Sequence, residues 1–221
     1  EIAQCLVGSE MCIRDSIRGG SSSGTHVLEE GRPIGQFYGL VCNGIDENGR
    51  YIMVDKDGDG EISDPADYDY IGSAQPKLTY GITNTFRYKN FDLSFFLRGT
   101  IGNDILNATR MAYAQSGFLP GTNALDDPLT YTLSETPRFS NYYLEKGSFM
   151  RLDNLTLGYK IKALNGIRVY FTAQNLFVIT KYKGLDPEVP MDSGDGLTPG
   201  VEPREFYPKA RTFSVGLNLN F

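Results

Sequence analysis

The densest run of groups able to do chemistry is Asp55-Lys-Asp57-Gly-Asp59-Gly-Glu61-Ile-Ser-Asp64-Pro-Ala66-Asp67. Asp55, Asp57, Asp59, Gly60 and Ile62 stand at positions one, three, five, six and eight of a calcium-loop pattern, which needs closely spaced hard oxygens and a glycine for the sharp turn. The twelfth position holds Ala66 where a bidentate Glu belongs, and Asp67 is one residue out of register. A calcium site here would draw on Asp55, Asp57, Asp59 and Asp67 with the carbonyl of Glu61; a solvated acidic turn fits the same residues. No cofactor is required by anything else in the chain.

Catalysis finds no support. His26 is the single histidine and sits in a Gly/Ser-rich stretch, and neither a GxSxG nor an HExxH pattern occurs. Carboxylate pairs such as Asp126 with Asp127 and Asp186 with Glu188 lie among loop residues, where a solvated surface is the expectation. Tyr142, Tyr143 and Tyr207 are candidates for stacking on a sugar ring. Cys5, Cys12 and Cys42 are odd in number and lack metal-type spacing, so neither a disulfide framework nor a zinc site follows. The chain is not expected to be an enzyme. A formal charge of −6 gives no footprint for a phosphate backbone, which sets nucleic acid aside.

The elements that would carry these residues are strands. With 25 Gly, 14 Tyr and 13 Phe but no Trp, the balance favours strands and turns. No run reaches the roughly 18 apolar residues of a spanning helix. Period-two alternation appears instead. Leu78, Tyr80, Ile82, Asn84, Phe86 and Tyr88 oppose Thr79, Gly81, Thr83, Thr85 and Arg87, and after a turn at Lys89 and Asn90 the residues Phe91, Leu93, Phe95 and Leu97 continue one face. A second hairpin sets Leu155, Leu157, Tyr159 and Ile161 against Asn154, Thr156, Gly158 and Lys160, then Ile167, Val169, Phe171 and Ala173 against Arg168, Tyr170, Thr172 and Gln174, with its turn at Asn165 and Gly166. Phe213, Val215, Leu217, Leu219 and Phe221 alternate to the end. Between these runs, 103–149 and 184–208 read as long surface excursions, the first with a short helix near 108–116.

Runs of about 11 residues span roughly 36 Å, and tilted by about 40° they cover roughly 28 Å, the height of an outer-membrane apolar band. Tight turns alternating with long excursions are the pattern of a transmembrane barrel. A soluble core could also use the apolar faces. The fold class is all-β: about five or six antiparallel strands of a large transmembrane β-barrel with long extracellular loops, too few to close one alone.

Several stretches carry a family resemblance. PIGQFYGLVCNGI, the acidic loop with its following hairpin through FFLRG, SFMRLDNLTLGYKI, RVYFTAQNLFVITKYKGLDPEV and FYPKARTFSVGLNLNF, in that order, resemble the C-terminal part of SusC/RagA-like TonB-linked outer-membrane proteins. The resemblance implies plugged barrels of about 22 strands that import oligosaccharides or peptides with energy from the TonB complex, partnered by a SusD-like surface lipoprotein, in the outer membrane of a Gram-negative bacterium. It makes Phe213, Val215, Leu217, Leu219 and Phe221 the signal for the barrel-assembly machinery, and the acidic loop a structural element. The plug and TonB-reading segment are not in the chain, so the expectation is an importer fragment; the alternative is a soluble calcium- or carbohydrate-binding β module. Cys5 to Ser16, CLVGSEMCIRDS, resembles a translation of sequencing-adapter DNA, which makes residues 1–22 a suspect leader and 23–221 the barrel part.

Overall fold

A computed structural model describes residues 16–19, 24–63, 65–119, 121, 123–161, 167–189, 198–204 and 207–219. Cys5, Cys12, nearly all of the suspect leader, Asp64, the Asn165–Gly166 turn and Phe221 lie outside them. The chain divides into two compact units: one combines 1–75, 105–144 and 189–204, the other 76–104, 145–188 and 205–221.

In the first unit, β1 (Ser16–Gly19), β2 (His26–Glu29), β3 (Gln36–Leu40) and β6 (Tyr68–Ser73) form one sheet in the order β1-β2-β3-β6. β4 (Cys42–Ile45) and β5 (Tyr51–Met53) make a separate hairpin. Its turn is set by Asp46, whose carboxylate accepts the N–H groups of Asn48 and Arg50 at 2.9 and 2.8 Å, followed by Gly49 at φ 78°. Phe37, Ala74, Leu106, Ala114, Leu129 and Tyr143 are buried together, with Ile71, Met111 and Phe139 packed on them.

That core corrects one expectation. Residues 103–149 are not only a surface excursion, because Leu106, Ala114, Leu129 and Tyr143 within them supply most of this core. The helix expected near 108–116 is α1 (Ala108–Tyr113), capped by the Asn107 side chain on the Arg110 N–H. A second, α2 (Pro128–Thr132), starts on Asp127, whose carboxylate accepts the Leu129 N–H at 2.9 Å, with Pro128 in the first turn. The short strands β9 (Asp104–Leu106) and β10 (Leu144–Lys146) fall where the sequence passes from one unit to the other.

The second unit is a five-stranded antiparallel sheet of β7 (Leu78–Tyr88), β8 (Phe91–Ile101), β11 (Phe149–Ile161), β12 (Ile167–Thr180) and β13 (Thr212–Asn218), in the order β13-β12-β11-β8-β7. β7 and β8 join through two residues, Lys89 taking the left-handed φ of 54° that so tight a reversal needs. The register Tyr88↔Phe91↔Tyr159↔Val169↔Leu217 begins a set of cross-strand rows. The next rows are Phe86, Leu93, Leu157, Phe171, Val215 and then Asn84, Phe95, Leu155, Ala173, Phe213. Directly paired residues share a face, so one side of the sheet is apolar across all five strands, with Asn84 the exception.

One irregularity holds that face together. In β11 strict alternation from Leu155 would put Arg151 and Asp153 on the apolar side and Leu152 on the polar one. The register shifts between Leu152 and Asn154 against both neighbouring strands: Asp153 is an extra residue relative to β8, while Asn175 and Leu176 of β12 stand opposite it. The bulge restores parity: Leu152 pairs with Leu97 and Phe177 on the apolar side, and Arg151 pairs with Arg98 and Val178 on the other.

Candidate functional site

The polar side of this sheet carries a charged constellation built around the bulge. Arg151 is 1% exposed. Its guanidinium donates to Asp186 and to the side-chain oxygen of Asn175, and its Nε lies 3.5 Å from Glu188. Arg98, from the adjacent strand, forks onto both oxygens of Glu188 at 2.6 and 2.9 Å and reaches Asp153 at 3.2 Å. Lys209 Nζ completes the group at 2.7 Å from Glu188. Planar bidentate pairing of this kind suits arginine, whose donors match a carboxylate in both charge and geometry.

The supports are local. Asn175, in β12 opposite the bulge, holds φ 51° and turns its amide onto the carbonyls of Lys209 and Ala210 while its oxygen faces Arg151. Asn tolerates this left-handed backbone where most residues do not. Asp186 also accepts the Glu188 N–H at 2.9 Å, fixing the loop that carries both carboxylates. Burial pushes Glu188 upward, but the bonds from Arg98 and Lys209 outweigh it and hold its carboxyl below the usual range. The expectation that Asp186 and Glu188 lie on a solvated surface is therefore corrected: Asp186 is 4% exposed and both are ion-paired. Farther along the same face Asp92 and Arg168 form a second fork, at 2.9 and 2.5 Å.

The acidic loop belongs to the first unit. Asp55, Asp57 and Asp59 each present a carboxylate oxygen, and the three lie within 4.8 Å of one another. Their own backbone shapes the loop: Asp55 accepts the N–H groups of Gly58 and Gly60 at 2.6 and 2.9 Å, and Asp59 that of Glu61 at 2.7 Å. Asp57 accepts the Asp59 N–H, which favours its charged form, yet desolvation and the carboxylates of Asp59, Asp67 and Asp55 prevail and raise its pKa. Asp67 stands outside the trio. It is fully buried and accepts the N–H groups of Ser63 and Lys56 at 2.8 and 2.7 Å, which lower its pKa.

Other candidates resolve one by one. Tyr143 is fully buried against Tyr51 and Tyr142, which removes it as a sugar platform; Tyr207 is 83% exposed. His26 is buried on the Phe37 ring, its Nε2–H donating to the Pro199 carbonyl at 2.9 Å and its Nδ1 facing the Thr25 hydroxyl, a packing role. Asp127 is not a solvated carboxylate but a helix cap paired to Arg110 at 2.8 Å; Asp126 is exposed. Of the terminal set, Phe213, Val215, Leu217 and Leu219 are exposed, the first three on edge strand β13, and Phe221 lies outside the described residues.

No family model matches the chain. Individual relatives do. It is 36% identical to the TonB-dependent receptor SusC of Bacteroides thetaiotaomicron over 94% of this chain and 21% of that protein. It is 34% identical to the TonB-dependent receptor P3 of Formosa agariphila over 89% of this chain and 23% of that one. Among solved structures, the RagAB peptide importer in its closed-closed state superposes with a TM-score of 0.68 at 26% identity, covering 87% of this chain and 24% of that one. The chain thus spans between a fifth and a quarter of the length of these relatives. The open antiparallel sheet with one continuous apolar face and the sequence similarity along most of its length converge on one assignment: this chain belongs to the SusC/RagA-like family of TonB-linked outer-membrane proteins.

Proposed function

We propose that the chain forms part of the wall and the extracellular mouth of an outer-membrane importer that takes up peptides or oligosaccharides. The observation that carries this reading is the apolar face of the five-stranded sheet, where Val215, Leu217, Phe213, Phe86 and Ile82 are 75, 65, 58, 54 and 52% exposed. In water such a continuous patch would drive association, whereas hydrocarbon is its matching solvent. The soluble β-module reading leaves it unexplained. Two-residue and short connections at one end of the sheet and long segments at the other orient the long ones to the cell exterior.

In this reading the polar face lines the barrel interior, and the Arg98–Arg151–Glu188 cluster pins the 181–189 segment to the inner wall. Uptake draws energy from the TonB complex, a SusD-like lipoprotein covers the mouth, and the barrel-assembly machinery reads the terminal strand through Phe213, Val215, Leu217, Leu219 and Phe221. The protein resides in the outer membrane and performs no covalent chemistry on its substrate.

Cysteine scanning of β13 in intact cells tests the wall. Ser214→Cys should react with a membrane-impermeant maleimide admitted to the lumen and Val215→Cys should not; equal labelling of both sinks the membrane orientation. Growth of a deletion strain on peptides and on oligosaccharides, each as sole source, then separates the substrate classes.

A calcium ion in the acidic loop is a second element of the proposal, supported by the convergence of Asp55, Asp57 and Asp59. These three and the carbonyl of Glu61 would supply oxygens, with Asp67 holding the loop closed from behind and reaching the ion only if its backbone bonds give way. Isothermal titration with calcium should show a single saturable site that Asp57→Asn weakens; no heat above dilution removes the metal.

A further inference from the structure

At the long-segment end of the five-stranded sheet a cleft of about 450 Å³ opens within the second unit, lined by Tyr80, Ile101, Lys146, Ser148, Ile179 and Lys181. Parity identifies its side. Tyr80 pairs with Gly99, Gly99 with Met150 and Met150 with Ile179, so Tyr80 and Ile179 stand in one row of the apolar face, and Ile101 is in the next. The cleft is thus the outermost step of the lipid-facing band.

Gly99 creates it. A Cβ at that position would stand 2.6 Å from the Tyr80 hydroxyl oxygen and 2.1 Å from the Phe149 carbonyl oxygen. With no side chain there, the Tyr80 ring lies across β8 and its hydroxyl donates to the Phe149 carbonyl at 3.4 Å. The ring becomes a floor instead of a projection. Above that floor stand two cations. Lys146 is 77% exposed and touches Asp104 at 2.7 Å, and Lys181 is exposed with no carboxylate within ion-pair distance among the described residues.

An apolar floor continuous with the hydrocarbon-facing rows and a pair of ammonium groups at its outer rim match an amphiphile with an anionic head. We propose that this cleft seats the phosphate of an outer-leaflet lipid, with Lys181 and Lys146 on the phosphate and an acyl chain along Ile101, Tyr80 and Ile179. A free anion would use the lysines and leave the apolar floor wet, which is why the lipid is the occupant. The inference rests on the membrane reading of the sheet. A basic side chain near a charged membrane surface contributes about a fivefold preference for an anionic lipid.

The test incorporates the full-length protein into phosphatidylcholine bilayers that contain lipid A or dephosphorylated lipid A, extracts it into mild detergent and measures retained lipid by native mass spectrometry. Phosphorylated lipid A should be retained preferentially. Lys181→Gln should lower that retention roughly fivefold, and the Lys146→Gln, Lys181→Gln pair roughly thirtyfold. Lys89→Gln, at the opposite end of the sheet beside Tyr88, should leave it unchanged. Equal retention of the two lipids, an equal loss in Lys89→Gln, or complete displacement of the lipid by inorganic phosphate overturns the inference while leaving the membrane reading intact. Failure to enter either bilayer overturns the membrane reading and the inference with it.

Discussion

The two units treat their large apolar side chains in opposite ways. In the first, Phe37 and Tyr143 have no exposed surface and Leu106 has 1%, as in a water-soluble core. In the second, Phe213, Val215 and Leu217 stand 58 to 75% exposed, while the largest fully enclosed side chain at its centre is an arginine. The core of the first unit hides hydrocarbon from water; the sheet of the second turns one apolar face outward and gathers charge on the other. In the membrane reading, burial has a different meaning in each, because the solvent proposed to face the second unit's apolar side is lipid.

Substitutions at matched positions can break that contrast. The largest effects belong to the two enclosed centres. Phe37→Ala should destabilise the first unit by about 3–5 kcal/mol through lost transfer energy and a cavity. Arg151→Met should destabilise the second by about 3–5 kcal/mol, since Asp186 is left buried without its partner. Denaturant unfolding measures both. Adding Asp186→Asn should recover part of the second loss and none of the first.

A smaller effect sharpens the solvent argument. Leu157→Arg, near the middle of the apolar face, should cost about 2–4 kcal/mol for folding into a bilayer. Thr156→Arg, one residue away on the polar face, should cost far less. Equal losses would mean both faces meet the same medium. In the first unit, Asp127→Ala should cost about 0.5–2 kcal/mol by removing the cap of α2.

The smallest effect is a pH dependence. Glu188 has a folded pKa below its ordinary 4.5, so its contribution is fully present above that value and is lost as pH falls through the lower folded one. Acid unfolding of the second unit should therefore show a component below about pH 4.5 that Glu188→Gln abolishes. Persistence of that component in the variant would exclude Glu188 as its source.

Much of the sheet was legible because side-chain alternation is a local property. The faces of Leu78–Tyr88 and Phe91–Leu97 are written in consecutive residues, and the register confirms them. Legibility stops at Asn154. The strand continues back to Phe149, but Arg151 and Asp153 break the alternation, and only the pairing with β8 reveals that Asp153 is a bulge. The charged cluster was illegible for a related reason. Arg98 and Glu188 are 90 residues apart, Arg151 and Asp186 are 35 apart, and a lone carboxylate in a loop reads as solvated until its partner is placed. The core of the first unit draws on three separated stretches of chain, so its residues in 103–149 looked like loop. The acidic loop read well because its ligand spacing is fixed by adjacent backbone turns.

The cluster around the bulge also has an electrical consequence. Arg98, Arg151 and Lys209 balance Asp153, Asp186 and Glu188, three against three. With opposite charges held in contact the cluster carries no net charge, so its field is confined to short range. In the proposed importer, a charged solute passing this cluster would feel little long-range pull or push from it, and sorting of cargo by charge would fall to other residues.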